Sequence, residues 1–295
     1  MSTEACIERL HARLARVAES NALREFDRSL ESLRGDFTLD GMLNAFSSAA
    51  RVLGRASLNA DDETLPGPDA AVPLIGWSAD IAGRALLLLA LARWPDAPLE
   101  EAVVAAYRDG DTLEKLAVIR SLSLLPDGAR FVPIALDAGR TNDARLFQAL
   151  ACDNPFVARH YSELEWNKLF MKAAFVRAPL DRMVGLARRE NPELARMALD
   201  YVEEQESAGR TFPPEIWLGI APFPPPGAIA KMLGYATHAV ADVRLGALAG
   251  LFRARDRRSE SFLRERLGVE PDDAVRVAIQ HVLRALDANA ERNVV

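Results

Sequence analysis

Apolar residues recur at intervals of three and four along most of the chain, the spacing of one face of an α-helix. Between residues 4 and 34 the series runs Ile7, Leu10, Leu14, Val17, then Leu23, Phe26, Leu30 and Leu33, and Gly35 closes it. The spacing predicts one helical run there and a second helix over Thr38–Leu53. Residues 59–73 contain three prolines, one glycine and four acidic residues, the signature of a loop and the least ordered internal stretch. No segment alternates apolar and polar positions convincingly as a half-buried strand would.

Beyond residue 76 the expected helices shorten, and turn chemistry follows each one: Trp94-Pro95-Asp96, Asp109-Gly110-Asp111, Pro126-Asp127-Gly128 and Ala138-Gly139-Arg140. Asn191-Pro192-Glu193 reads as a helix start, with Asn191 as cap, Pro192 at the first helical position and Glu193 at the positive helix end. That helix should run to about Ala208 and stop at Gly209. A proline-rich break follows at Pro222–Gly227. Asp242-Val243-Arg244-Leu245-Gly246-Ala247 recurs as Asp273-Ala274-Val275-Arg276-Val277-Ala278, a weak repeat with 32 residues between Arg244 and Arg276. A helix pair with its turns fits that length, and the pattern resembles HEAT-like units, in which such an Asp and Arg tie neighbours together. Helix capping with surface ion pairs accounts for each half equally well. The expected fold is all-α: an α-α superhelix of stacked helix pairs, a HEAT-like or armadillo-like solenoid whose units bury their apolar faces on neighbours. Expected divisions are an N-terminal helical region (1–58), a loop (59–75), a central helical domain (76–221) and C-terminal HEAT-like repeats (222–295) continuous with it.

The 295 residues carry 42 acidic and 36 basic side chains, a net charge of −6, which argues against a surface matched to phosphates and hence against nucleic acid as partner. Two cysteines, Cys6 and Cys152, are too few for a disulfide framework and lack zinc-site spacing. The first ten residues show no signal-peptide pattern. The most apolar run, Ala85–Ala92, is far shorter than the roughly 20 residues needed to span a bilayer and reads as a buried helix. A cytoplasmic protein without a membrane span is expected, free or peripheral to the inner membrane.

Motifs of common catalytic centres are absent: no GxSxG, GxxxxGK[ST] or HExxH. His11, His160, His238 and His281 are scattered, and nothing calls for a metal or another cofactor. Arg253, Arg255, Arg257, Arg258, Arg264 and Arg266 could face an anion, but the interleaved Asp256, Glu260 and Glu265 favour a solvated helix face.

One stretch, 139–177, is chemically unusual. Thr141 or Asn142 can cap the helix that follows and so place Arg140 in the loop before it, where a positive helix end and an arginine favour an anion; ordinary capping explains the same residues. Asp153-Asn154-Pro155 is turn chemistry. On the helix from Glu163 to Val176, Trp166, Leu169, Phe170, Ala173 and Val176 form one face. Asn167, Lys168, Met171, Lys172 and Phe175 form the other, and Met and Phe there suggest that it too is covered. Asn167 or Lys172 would then be partly buried, in an internal polar network or on the floor of a pocket.

These residues resemble the signature of the EboA family: Arg140-Thr141-Asn142 before a helix, Asn154-Pro155 and an aromatic in a turn, and Trp166-Asn167 followed by Leu169, Lys172-Ala173 and Phe175. The resemblance extends to Trp77-Ser78-Ala79-Asp80 with Arg84, to Gly110–Lys115, and downstream through Gly185-Leu186, Asn191 and Asp200-Tyr201 to Gly209-Arg210. It spans roughly residues 75–220, so the central domain is EboA-like. The sequence departs at Gln205-Glu206, where the family often has Arg-Trp, and at Phe156, where tyrosine is common. The resemblance implies a part in metabolite traffic or export, with partners among the products of the same gene cluster, a prenyltransferase-like membrane protein included. It supplies no catalytic residue. Arg140, Asn142, Asn154, Trp166, Asn167 and Lys172 are the candidate ligand- or partner-binding residues.

Three functions remain in view. The leading one is a non-catalytic helical scaffold or carrier that holds a small metabolite or a pathway protein. The second is an enzyme of the same pathway, with Lys172 as acid/base or Schiff-base group beside Asp153 or Glu165. The third, a HEAT-like nucleic-acid binder, conflicts with the net charge.

Overall fold

The structure, a computed structural model, describes residues 3–95 and 97–292. The chain forms two compact units, one ending at Ser162 and the other beginning at Glu163. The first contains α1 (Thr3–Val17), α2 (Ser20–Gly35), α3 (Leu39–Leu53), α4 (Ala79–Leu91), α5 (Leu99–Asp109), α6 (Thr112–Ser121), α7 (Val132–Arg140), α8 (Ala144–Ala151) and α9 (Phe156–His160). The second contains α10 (Glu163–Phe175), α11 (Pro192–Ser207), α12 (Trp217–Ile220), α13 (Ala228–Tyr235), α14 (Ala241–Ala254), α15 (Glu260–Val269) and α16 (Asp273–Arg292). The described residues are therefore all-α apart from one small hairpin.

The anticipated single run over 4–34 is two helices, broken at Ala18-Glu19. The sequence carries a trace of this break, since the three-and-four spacing lapses between Val17 and Leu23. The second helix forms where expected, as Leu39–Leu53, and Thr38 caps it, its Oγ1 accepting from Gly41 N at 3.1 Å.

The stretch 59–73 corrects the expectation of a poorly ordered loop and of a chain without strands. Thr64–Pro66 (β1) pairs antiparallel with Ala71–Pro73 (β2), placing Leu65 opposite Val72. Leu58, Leu65, Val72 and Leu74 are all buried, and Gly76 N donates to Asp61 Oδ1 at 2.9 Å. Three-residue strands are too short to show a period of two, so only burial and pairing reveal them.

In the first unit α4 is the central element. It packs against α1, α3 and α6, and all its residues but Ala90 are buried. A helix apolar on every side must be enclosed on every side. Gly83 permits the close crossing with α3: a β-carbon there would lie 2.3 Å from Leu53 Cδ1.

In the second unit α14 has the corresponding place, against α12, α13, α16 and the 3-10 turn at Pro214–Ile216. Gly246 and Gly250 form the stripe on which the 214–217 segment rests; a β-carbon at Gly246 would lie 2.5 Å from Pro214 O. Arg244, buried near the start of α14, donates to the carbonyls of His238 and Ala239 at 2.7 and 3.0 Å and to Glu270 Oε1 at 2.8 Å. Its counterpart in the sequence repeat, Arg276, is exposed. No helix of the described residues is long and apolar enough to cross a membrane.

Candidate functional site

Asn154 follows α8 in the turn that leads to α9. It is 2% exposed, and its amide is saturated. Nδ2 donates to Ile119 O and Ala149 O, both at 3.0 Å, while Oδ1 accepts from Ser123 Oγ at 2.7 Å and from Phe156 N at 3.1 Å. Two donors and two acceptor sites are all that an asparagine side chain offers. Asn154 thereby joins α6, α8 and α9, and Asp153 before it takes the left-handed backbone that the turn requires (φ 54°).

Arg140 and Asn142 are placed differently from expectation. Asp143, not Thr141 or Asn142, caps α8, its Oδ1 accepting from Arg145 N at 2.9 Å and Leu146 N at 3.1 Å. Thr141 Oγ1 instead accepts from Asp143 N at 3.1 Å and shapes the approach. Arg140 is the last residue of α7 rather than a loop residue. It stands at a helix C-terminus, where a cation is favoured without any bound anion. Arg140 and Asn142 are both exposed. Asp143 has the extended backbone of an N-cap (φ −73°, ψ 114°), and its carboxylate sits at the positive helix end.

A second group of motif residues in the first unit is a buried charge cluster. Arg84 is 1% exposed; its Nε donates to Phe46 O at 3.0 Å and its Nη1 to Asp80 Oδ2 at 2.7 Å. Its Nη2 lies 4.0 Å from Glu114 Oε1. Ser78 Oγ donates to the other oxygen of Asp80 at 2.5 Å. Glu114 also closes a capping box with Asp111: Asp111 N donates to Glu114 Oε2, and the amides of Leu113 and Glu114 donate to Asp111 Oδ1, all at 2.8 Å. Gly110 is required for this approach, since a β-carbon there would sit 2.4 Å from Ala106 O. Asp80, Arg84 and Glu114 were not among the candidates; the signal that could have found them is an ion pair one helical turn apart inside the most apolar helix.

In the second unit, Trp166 is fully buried with the Arg189 guanidinium 5.6 Å from its ring centroid. Asn167, 2% exposed, faces Asn191: each Nδ2 donates to the other Oδ1, at 3.1 and 2.9 Å. Asn191 also caps α11, its Oδ1 accepting from Leu194 N at 2.8 Å. Lys172 is half-buried, and burial lowers its pKa from the ordinary lysine value. The face that contains Asn167 is not covered from end to end: Lys168 is exposed and Phe175 is 72% exposed. Val176, expected on the buried face, lies beyond the helix and is exposed. The amphipathic wheel fails there because α10 ends at Phe175.

A groove in the second unit bears on ligand binding, and no sequence motif pointed to it. α14 presents Leu245, Leu248, Ala249 and Phe252 at helical spacings of three and four, and α16 presents Ala278, His281 and Val282. With Leu218 and the Glu190–Arg253 ion pair they line an open groove of about 770 Å³, within the range of small-molecule sites. The expected solvated arginine face is otherwise occupied locally: Arg264 pairs with Glu260, Arg266 with Glu270, and Arg258 with Asp256. Among the described residues no group of three His, Cys, Asp or Glu side chains is placed to hold a metal ion.

Residues 6–221 match the family described as metabolite traffic protein EboA. The chain belongs to the EboA family. No curated protein and no solved structure gives a significant match. EboA membership begins earlier than the sequence resemblance implied, at residue 6 rather than about 75, and takes in α1–α3. It ends at Ala221, so the groove is built jointly: Glu190 and Leu218 fall inside the EboA match, while the α14 and α16 walls fall outside it.

Proposed function

We propose that this EboA-family chain is a non-catalytic carrier or scaffold in the traffic of a small metabolite. The observation that supports it most directly is the groove of about 770 Å³ in the second unit, apolar along both helical walls and open to solvent. The family description supplies the traffic context. Several motif polar groups are spent on internal partners, Asn154 on four hydrogen bonds and Asn167 on its amide pair. In this reading they shape the protein, as the buried Trp166 does, while the exposed Arg140 and Asn142 meet a partner. That partner would be another product of the same gene cluster, a prenyltransferase-like membrane protein included, met from the cytoplasm or at the inner-membrane surface. Stacked helix pairs of a HEAT-like kind would suit such a role; the Arg244–Glu270 tie supports that arrangement in the second unit.

Native mass spectrometry on tagged protein from its own host tests the proposal. A stoichiometric small molecule or a co-purifying pathway protein supports it; a bare chain, together with normal pathway output from an Arg140→Ala/Asn142→Ala variant, overturns it.

A second reading, an enzyme that uses Lys172, rests on the lowered pKa of that amine. Borohydride trapping of a carbonyl substrate on Lys172 would establish this reading, and an unmodified Lys172 would remove it.

A further inference from the structure

The groove has two chemical parts. Its walls are the Leu245/Leu248/Ala249/Phe252 stripe of α14 and the Ala278/Val282 stripe of α16. Phe252 is 42% exposed although it lines a concave surface. A large ring left in water there is available to cover an apolar ligand. At one end the lining is charged. Glu190 neutralises Arg253, whose pKa burial lowers, and Arg255 is left as the excess positive charge. Arg255 is exposed and makes no ion pair among the described residues. Its backbone is left-handed (φ 49°), a conformation that favours glycine or asparagine, and it ends α14 there. Every other arginine from 253 to 266 is held by a carboxylate. An excess cation at an apolar groove, in a chain of net charge −6, is not general surface basicity.

We propose that the groove binds an amphipathic small molecule that has an apolar chain or ring system and a single anionic group, carboxylate or phosphate. The apolar part lies between α14 and α16, and the anion meets Arg255; His281 is also on the lining. Because the α14 and α16 walls lie beyond the family match, the C-terminal segment supplies the specificity of the site. The inference rests on the carrier reading and deepens it.

The test uses the full chain and four probes below their aggregation thresholds: dodecanoate, dodecyl phosphate, dodecanol and dodecyltrimethylammonium, each titrated by calorimetry. At least one anionic probe should bind one to one, and more tightly than the alcohol or the ammonium compound. Whichever of the two anions binds better distinguishes carboxylate from phosphate. Arg255→Glu should weaken the anions about fivefold or more and leave dodecanol unchanged. Ala249→Trp, at an exposed position on the groove wall, should abolish binding of every probe with an unaltered circular dichroism spectrum. Anion binding indifferent to both substitutions, or equal affinity for the ammonium probe, overturns the inference. A native metabolite retained by the Ala249→Trp variant would overturn this site while the carrier reading stands. A groove that binds the anionic probes in a protein that comes bare from its host, with normal pathway output from the Arg140→Ala/Asn142→Ala variant, would overturn the carrier reading and leave the site.

Discussion

Asn167 on α10 and Asn191 at the start of α11 exchange side-chain amides, each donating to the other's oxygen at 3.1 and 2.9 Å. Both are buried, yet their loads are unequal. Asn191 additionally accepts from Leu194 N and donates to Arg189 O. Asn167→Ala therefore leaves each Asn191 group with one partner and should cost about 1–2 kcal/mol. Asn191→Ala removes the helix cap and strands a buried amide, and should cost about 2–4 kcal/mol. The double variant should be less destabilised than the sum of the two, because removing Asn167 relieves the stranded group. Urea denaturation of the four proteins measures this; additive, equal costs would contradict it.

The Asp80–Arg84–Glu114 cluster permits a stronger prediction. Arg84→Met leaves the buried Asp80 with only the exposed Arg55 guanidinium, 4.0 Å away, and should cost about 3–5 kcal/mol. Arg84→Lys should also destabilise, since one ammonium cannot serve both Phe46 O and Asp80 as the two guanidinium nitrogens do. Combining Arg84→Met with Asp80→Asn and Glu114→Gln should recover part of the loss. Thermal unfolding gives the order directly.

Glu270 should make the stability sensitive to acid. Burial pushes its carboxyl up, but the Asp272 amide and the Arg266 and Arg244 guanidiniums outweigh that and hold it below the ordinary value of 4.5. Its folded pKa lies under its unfolded one, so its contribution is present above about pH 4.5 and is lost as pH falls through the folded value. The urea midpoint should drop below pH 4.5, and Glu270→Gln should flatten that drop while lowering stability at pH 7.

Cys6 should be inert in the native state. Burial raises its thiol from 9.0 to about 12, with Arg9 offsetting only part. At pH 8 the thiolate would be about one part in ten thousand, and it is the thiolate that reacts. A chromogenic disulfide reagent should therefore label Cys6 only as the protein unfolds, in step with the circular dichroism transition. Rapid labelling of the folded protein would show that α1 detaches from its neighbours.

Much of the local architecture was legible in the residues. Asn191 is a cap where turn chemistry places it, α3 fills the expected stretch after Thr38, and Gly209, left-handed at φ 64°, follows the end of α11. These features are legible because each is decided within one helical turn of sequence. The hairpin at 64–73 was not, because its strands are ordered by burial rather than by any pattern of their own. Nor was the true cap of α8, where Thr141, Asn142 and Asp143 all have capping side chains and their backbone angles choose among them.

The candidate residues divide in the same way. Sequence marked Asn154 and Asn167 as unusual, and burial of the latter was an expected outcome. That Asn154 would be saturated by carbonyls of α6 and α8, or that Asn167 would find Asn191, depends on residues 5 to 35 positions away. The periodicity of apolar residues determined by itself that this chain is helical, because a helix's exposed and buried faces are written into consecutive residues. It could not say which face of α14 meets Pro214 and Trp217 and which is left to line a groove with Phe252 and Arg255. Both faces are apolar, and only packing against distant parts of the chain decides which of them is covered.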